Sequence, residues 1–268
     1  MPLLQLVLVA LIQGITEFLP VSSSGHLILL PGLTGYSDQG QVIDVAVHLG
    51  TLIAVMIFFW RDVRLCLGGM TCLACGRADT QGSRLALGLI IATIPTVLFG
   101  AFLHLNHFTD ALRSPAVIGW AMLTFGVVLY IADQRGAQEK VTSDWTLRDA
   151  LIMGLWQMIA LIPGTSRSGI TITGARQLGY RREDGARLAM LMSIPTIFAS
   201  GVLLGTEVAL DANMDLIRDA AIAAVLAMLS ALAALSLMMR LLRSTSFTPY
   251  VIYRVILGLA LLGYAYGT

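Results

Sequence analysis

The chain carries, from Gln13 to His26, the polar stretch Gln-Gly-Ile-Thr-Glu-Phe-Leu-Pro-Val-Ser-Ser-Ser-Gly-His, within a region (residues 1–60) that contains no Lys or Arg. A carboxylate, three consecutive hydroxyls and an imidazole are costly to bury among apolar side chains. At membrane depth such groups usually face a cavity or a partner and mark a functional site. A second polar stretch, from Gln157 to Gly169, adds an arginine. We therefore expect the two stretches to form one site for an anionic phosphate ester inside a membrane.

The composition predicts an integral membrane protein. Of 268 residues, 57% are hydrophobic and 12% are charged, whereas about 25% of residues are charged in a soluble domain. The chain therefore has too few charges to cover a water-facing surface. The net charge is +1 and no run of basic residues is present, so nothing in the sequence indicates nucleic-acid binding.

Six hydrophobic runs approach the roughly 20 residues that a membrane-spanning helix needs. They are Val42–Trp60, Leu85–Leu103, Pro115–Ala132, Leu188–Gly205, Ala220–Met239 and Pro249–Tyr266. Two further apolar segments are short and end at a proline, Leu3–Leu19 at Pro20 and Leu151–Ile162 at Pro163. Non-helical backbone at membrane depth is tolerated where protein or a cavity surrounds it. Each segment is therefore predicted to form half of a re-entrant helical hairpin.

The positions of the cations predict the topology. Thirteen of the seventeen Lys and Arg residues fall in alternate connections. They are Arg61, Arg64, Arg77, Arg84, Arg135, Lys140, Arg148, Arg176, Arg181, Arg182, Arg187, Arg240 and Arg243. The positive-inside rule makes these connections cytosolic loops and both chain termini external. Arg254, one turn into the last span, is expected to extend towards the cytosolic surface.

A weak internal repeat relates the two polar stretches. A shift of 144 residues places Gln13 on Gln157, Ser22 on Ser166, Ser24 on Ser168 and Gly25 on Gly169. Each half then has one broken hairpin and three spans, an odd number, so the second half is inverted. We expect one transmembrane domain (1–268) built from approximate inverted repeats, 1–132 and 147–268, with its site near the membrane midplane. An Ile-Pro-Thr echo, ending at Thr96 and Thr196, predicts a proline kink in each half.

Gln13 and Glu17 are candidate metal ligands. They are four residues apart and share a helix face, and Mg²⁺ prefers oxygen ligands together with substrate phosphates. The alternative is that hydroxyl groups or Arg167 satisfy the Glu17 carboxylate for a structural purpose.

The serine run is a candidate phosphate cradle. Ser22, Ser23 and Ser24 can cap a helix start, where free amides bind phosphate. Ser23 or a water molecule could attack phosphorus, with His26 as general base or acid. The alternatives are an ordinary capped turn and a structural histidine. His48 could line the same cavity or lie in the core.

The second stretch supplies a permanent cation. Arg167 is fork-shaped, always charged and matched to phosphate oxygens. Thr165, Ser166 and Ser168 beside it are candidate substrate-binding groups. The alternative role of Arg167 is a structural salt bridge with Glu17.

At this point the two motifs resemble a known family. Glu17-Phe-Leu-Pro-Val-Ser-Ser-Ser-Gly-His26 and Pro163-Gly-Thr-Ser-Arg-Ser-Gly169 are similar to the signature stretches of the bacterial undecaprenyl pyrophosphate phosphatases, which are associated with bacitracin resistance. The resemblance covers the whole chain. It implies hydrolysis of undecaprenyl pyrophosphate to undecaprenyl phosphate and phosphate, with Mg²⁺ or Ca²⁺. It also implies recycling of the lipid carrier for peptidoglycan synthesis, at a site in the bacterial cytoplasmic membrane that opens to the external face.

Carried onto this chain, the resemblance gives each residue a role. Glu17 becomes the essential carboxylate, Ser23 the nucleophile, His26 the acid or base, and Arg167 the clamp on the pyrophosphate. The phosphate cradle is then formed by Ser22, Ser24, Gly25, Thr165, Ser166 and Ser168. The family often has a glutamate where Gln13 stands, so a metal site with two carboxylates is in doubt here. The resemblance leaves both a monomer and a homodimer open.

A transporter or flippase of a lipid phosphate or small anion is the alternative function. Inverted repeats with broken helices are typical of transporters. A carrier needs Arg167 and the helix ends, but it has no need for Ser23 beside His26. The combination of a nucleophile and a base therefore favours the phosphatase.

Overall fold

The computed structural model describes residues 1–106, 112, 114–208 and 214–267, and of residues 32–33 and 203–208 the backbone only. The described part is built from eleven α-helices. They are α1 (Leu3–Thr16), α2 (Ser23–Thr34), α3 (Gln41–Phe58), α4 (Trp60–Ala74), α5 (Gln81–Leu105), α6 (Pro115–Arg135), α7 (Leu147–Met158), α8 (Arg167–Gln177), α9 (Arg182–Val208), α10 (Met214–Leu241) and α11 (Thr248–Gly267).

Six helices are long and apolar enough to cross a membrane, namely α3, α5, α6, α9, α10 and α11. Each coincides with one of the six predicted spans, so the prediction of a multi-pass helical membrane protein is confirmed. The helices α1, α2, α7 and α8 have 14, 12, 12 and 11 residues. At 1.5 Å per residue the longest of them covers about 21 Å, less than the roughly 30 Å of a bilayer core.

The connection between the first two spans differs from the prediction. We expected a loop from Arg61 to Arg84, but residues 60–74 form helix α4, which packs on α5. The close approach depends on glycine, because a Cβ on Gly69 would overlap the backbone of Gly82. Arginine interrupts the apolar pattern of this segment, so hydropathy alone gave no sign of a helix.

The first short helix of each half packs against a long helix of the other half. Helix α1 lies on α10 and α7 lies on α5. Gly14 faces the Ala227 carbonyl and the Ser230 side chain, and Gly154 faces the backbone of Ala92. Small residues allow this close approach of backbones, as in other membrane helix pairs. Each half therefore packs one short helix on the other half. This arrangement agrees with the inverted repeat, which stays a prediction.

A buried ionic cluster joins α6, α8 and α9. The Asp133 carboxylate accepts hydrogen bonds from Arg176 Nε (3.1 Å), from Arg182 Nε (2.8 Å) and from the Phe247 amide (3.2 Å). The side chains of Asp133 and Arg176 are fully buried. The prediction that Arg176 lies in a cytosolic loop is therefore wrong. It stands in the last turn of α8, where Asp133 compensates its charge.

Arg254 also differs from the prediction. Its side chain does not extend towards the cytosolic surface but is fully buried. It lies behind the breaks at residues 17–22, between α1 and α2, and at residues 159–166, between α7 and α8, and it donates to backbone carbonyls there.

Candidate active site

The two breaks, residues 17–22 between α1 and α2 and residues 159–166 between α7 and α8, contact each other. The Ser168 hydroxyl donates to the Leu19 carbonyl at 2.9 Å, and the Gly164 amide donates to Ser24 Oγ at 3.3 Å. A serine side chain next to each break therefore hydrogen-bonds to the non-helical backbone of the other break. This contact brings the serine run of the first hairpin beside the arginine of the second.

Both breaks contain a serine with strained backbone. Ser22 has φ +74° and Ser166 has φ +68°, and they are the non-glycine residues with positive φ in the described part of the chain. Such conformations are costly for residues other than glycine and concentrate at functional sites. The positions correspond in the predicted repeat. Ser22 Oγ lies 3.0 Å from Ser24 Oγ, and Ser166 Oγ lies 3.1 Å from Ser168 Oγ.

Glu17 and Arg167 form an ion pair. Arg167 Nη2 lies 2.5 Å from Glu17 Oε1, and Arg167 Nη1 donates to the Ser193 carbonyl at 3.2 Å. The two side chains are only 8% and 16% exposed, so each charge depends on the other when no ligand is bound. The structural salt bridge considered above is thus present. Both groups nevertheless line the cavities described below.

The second carboxylate oxygen of Glu17 accepts a hydrogen bond from Ser23. Ser23 Oγ donates to Glu17 Oε2 at 3.0 Å, and Gln13 Nε2 donates to the same atom at 2.8 Å. A hydroxyl donating to a carboxylate is positioned to lose its proton to that carboxylate. Glu17 therefore occupies the place of a base for Ser23, which the sequence-based prediction assigned to His26.

Two cavities open on this pair. The smaller, of about 170 Å³, is lined by the three serines of the first break and by Gly164 and Ser166 of the second. The larger, of about 350 Å³, extends past Asp44 to Ser200 and Gly201. Both share Glu17, His48 and Arg167. A cavity of about 500 Å³ elsewhere contains none of the predicted site residues.

His26 is turned away from both cavities. Its Nδ1 donates to the Ser22 carbonyl at 2.7 Å, so Nε2 is left to accept from the Tyr253 hydroxyl at 2.6 Å. The two rings are stacked with centroids 5.5 Å apart. Both nitrogens are therefore already engaged. The role of His26 as acid or base stays a prediction that this geometry does not favour.

His48 is the histidine that faces the site. Its Nδ1 donates to the Asp44 carbonyl at 2.7 Å, and its Nε2 lies 4.0 Å from Glu17 Oε2. Gly25 and Thr165 line neither cavity. Gly25 faces Met122, and the Thr165 side chain is fully buried. Their predicted contact with substrate would require the hairpins to move.

Sequence reasoning missed a polar cluster at the floor of the larger cavity. Gln157 Nε2 donates to Thr96 Oγ1 at 3.3 Å and to Thr196 Oγ1 at 3.1 Å. These threonines end the two Ile-Pro-Thr segments, which were interpreted only as kinks. The signal was available, because Gln157 already aligned with Gln13 and the two segments aligned with each other.

The residues present partly fit a divalent cation. Among the described residues, no three His, Cys, Asp or Glu side chains cluster as metal ligands would. The Glu17 carboxylate lines both cavities. The Gln13 side-chain oxygen is buried without a hydrogen-bond partner, but Gln13 lines neither cavity and faces Glu17 with its amide nitrogen. Mg²⁺ commonly takes one or two protein oxygens and completes its shell with water and substrate phosphates. A site of that kind fits here, whereas an all-protein cage does not.

Comparison with known proteins places the chain among close relatives. The model of the family described as bacitracin resistance protein BacA matches residues 6–260. The undecaprenyl-diphosphatase of Ruegeria sp. (strain TM1040) is 76% identical over 267 residues, which covers 100% of both chains. That of Ruegeria pomeroyi is 70% identical over 99% of this chain and 100% of its own. A more distant undecaprenyl-diphosphatase, from Hahella chejuensis, is 44% identical over 98% of both chains.

Proposed function

Because the chain belongs to the bacitracin resistance protein BacA family, we propose that it is a membrane phosphatase which hydrolyses undecaprenyl pyrophosphate to undecaprenyl phosphate and inorganic phosphate. The observation that carries the proposal is the contact of Ser23 and Arg167 with the two oxygens of one carboxylate, Glu17. This arrangement supplies a nucleophile, a base and a phosphate-binding cation within one cavity. Hydrolysis would recycle the lipid carrier for peptidoglycan synthesis and confer resistance to bacitracin.

The chemistry follows from the contacts. Ser23 Oγ attacks the terminal phosphorus and its proton passes to Glu17. A bond forms between Oγ and phosphorus, the bridging phosphorus–oxygen bond breaks, and undecaprenyl phosphate leaves with the electron pair. Water then attacks the phosphoserine, the bond between Oγ and phosphorus breaks, and Oγ takes back the proton held by Glu17 as inorganic phosphate is released. Arg167 exchanges its contact with Glu17 for the phosphate oxygens, where charge neutralisation is the main task in phosphoryl transfer.

A bound Mg²⁺ or Ca²⁺ would neutralise further charge on the diphosphate, with Glu17 as its protein ligand. Gln13 would join Glu17 only if its amide turned to present the oxygen in place of the nitrogen that now donates to Glu17. Gln13 brings no charge of its own. The substrate phosphates must therefore supply most of the negative charge that holds the ion.

The site is proposed to lie in the bacterial cytoplasmic membrane and to open towards the external face. The larger cavity runs from Glu17 to Asp44, near the start of α3, and to Ser200 in α9. Under the charge-based topology, both positions lie towards the external ends of their helices. The cation-rich segments α4 and residues 178–182 lie at the opposite, cytosolic ends.

The transporter alternative is less well supported. A carrier would use Arg167 and the helix starts, but it would not need the Ser23 hydroxyl to donate to a carboxylate. The relatives described above are also named as undecaprenyl-diphosphatases.

The direct test is phosphate release from undecaprenyl pyrophosphate by purified protein in detergent. We expect turnover by the wild type and its loss in Glu17→Gln, which keeps the shape of the side chain but removes the base. Glu183→Gln, at a carboxylate 42% exposed and 3.9 Å from Arg243, should turn over as the wild type does. Well-folded wild type without turnover would refute the phosphatase, and lipid transport across vesicles would then be measured.

Ser23→Ala should reduce kcat by at least about a hundredfold, because it removes the nucleophile of the proposed covalent route. Ser24→Ala should cost no more than about thirtyfold, since Ser24 Oγ makes two neutral hydrogen bonds of about 1 kcal/mol each, with the Gly164 amide and with Ser22 Oγ. Rapid acid quench with labelled substrate should trap phosphoserine in the wild type. Full activity of Ser23→Ala would instead identify water as the nucleophile.

Chelation should abolish turnover. The Glu17 charge is already matched by Arg167, so the diphosphate reaches the site with charge that these residues leave uncompensated. EDTA-treated protein should regain activity with Mg²⁺ or Ca²⁺ and not with Na⁺ at equal ionic strength. Undiminished turnover in EDTA would show that the site works without a divalent cation.

A further inference from the structure

Arg254 is a buried cation without a carboxylate partner among the described residues. Its side chain is fully buried, and its guanidinium donates only to backbone carbonyls in the contacts of the described chain. The other fully buried arginine, Arg176, is paired with Asp133. Burying an unpaired charge is costly, and such a residue within a membrane protein marks function.

Three of the four carbonyls that accept hydrogen bonds from Arg254 belong to the two breaks. Nη2 donates to Thr165 at 2.8 Å and to Gly164 at 3.1 Å, and Nη1 reaches Pro20 at 3.5 Å. Nε donates to Met122 of α6 at 3.3 Å. One planar group thus connects both hairpin breaks to a spanning helix. Only the five-donor guanidinium fork can make all these bonds at once.

The bonded backbone lies directly behind the phosphate cradle. Gly164 lines the smaller cavity and donates its amide to Ser24. The Thr165 carbonyl shares its peptide group with the amide of Ser166, at the start of α8. A cation on that carbonyl polarises the peptide and strengthens the amide as a donor for phosphate.

We propose that Arg254 is the positioning residue of the diphosphate site, holding the two breaks together while its charge is balanced by the bound diphosphate instead of a carboxylate. The proposal rests on the proposed function for its substrate. It makes two separable claims. The charge of Arg254 increases the affinity for the diphosphate, and the hydrogen bonds of its guanidinium keep Ser23 aligned with Arg167.

Two substitutions separate these claims. Arg254→Gln removes the charge and should raise the Kd of a non-hydrolysable farnesyl methylenediphosphonate by about tenfold or more, as expected for loss of a buried cation near an anion. Arg254→Lys keeps the charge but has three donors on a point-like ammonium. It should therefore keep Kd within about threefold of wild type, yet lower kcat by about tenfold or more. Calorimetry in detergent gives Kd, and phosphate release gives kcat.

A third variant tests the position without removing the arginine. A Cβ on Gly169 would lie 2.8 Å from Arg254 Nη1 and 3.2 Å from Ser166 Oγ. Gly169→Ala should displace the guanidinium and lower kcat more than it raises Kd, and the loss of kcat should exceed that of Ser166→Ala, which removes the other group in contact. Gly68→Ala is the control, since nothing lies within 4 Å of its added carbon. This variant keeps the proposal testable if the Arg254 variants do not fold.

The outcomes are distinct. An unchanged Kd in folded Arg254→Gln overturns the charge claim, and an unchanged kcat in Arg254→Lys or Gly169→Ala overturns the positioning claim. Wild type that binds the diphosphonate without releasing phosphate from substrate would refute the phosphatase, while the Kd comparison still decides the role of the Arg254 charge.

Discussion

Phosphate release should fall by about a thousandfold or more when Arg167 is replaced by alanine, the range in which a transition-state arginine acts in phosphoryl transfer. The substitution removes the cation from the cradle and leaves Glu17 buried without its partner. Steady-state kinetics on undecaprenyl pyrophosphate should show the loss mainly in kcat, because charge on the phosphoryl group is redistributed in the transition state.

The control is an ion pair of the same type outside the site. Arg187 Nη2, in α9, lies 2.5 Å from Asp62 Oδ1, in α4. Arg187→Ala should leave the kcat of folded protein within about threefold of wild type, since it touches no residue of the two breaks. A similar loss in both variants would mean that Arg167 acts only through folding.

A double variant separates the functional role of Arg167 from its structural one. If Glu17 and Arg167 served only to neutralise each other, Glu17→Gln combined with Arg167→Gln would restore the fold and the activity together. We expect the double variant to regain stability and to remain inactive, because neither the base nor the cation is present.

Asp133→Ala should lower the free energy of unfolding by about 3–5 kcal/mol, the cost of removing one partner from a buried ion cluster. Its carboxylate accepts from Arg176, Arg182 and the Phe247 amide. Without it, Arg176 stays buried with backbone carbonyls as its only remaining acceptors in the contacts described. Denaturant unfolding in detergent micelles measures the effect.

The comparison for this prediction is Asp79→Ala. The Asp79 side chain is 75% exposed and lies 4.0 Å from Arg77, so its loss should change stability by less than about 0.5 kcal/mol. Equal effects at the two positions would show that the buried cluster does not stabilise the fold.

The sequence predicted the features that depend on local pattern. Hydropathy identified the six spans, and Pro20 and Pro163 identified where the short helices break. Glu17 and Arg167 were recognisable because a charge among apolar residues needs a partner. The structure brings them together as the motifs suggested.

The features that were missed depend on side-chain direction and on contacts across the chain. The left-handed backbone of Ser22 helps to set the direction in which α2 starts, and His26 then points to Tyr253 rather than to Ser23. From the sequence alone, Arg254 lies close enough to the start of α11 for its side chain to be expected to reach water. Only the folded arrangement shows that the two breaks bury the Arg254 guanidinium.

The ion pair at the centre of the site also has a consequence for biogenesis. Glu17 and Arg167 are separated by 150 residues, so the carboxylate leaves the ribosome long before the arginine that neutralises it. Until α8 enters the membrane, the nascent chain must keep Glu17 hydrated or protonated, or hold the first hairpin at the translocon. A fragment released before that point would contain every serine of the first motif and no complete site. The complete site can therefore form only after residue 167 of the 268 has been made, when the two motifs meet.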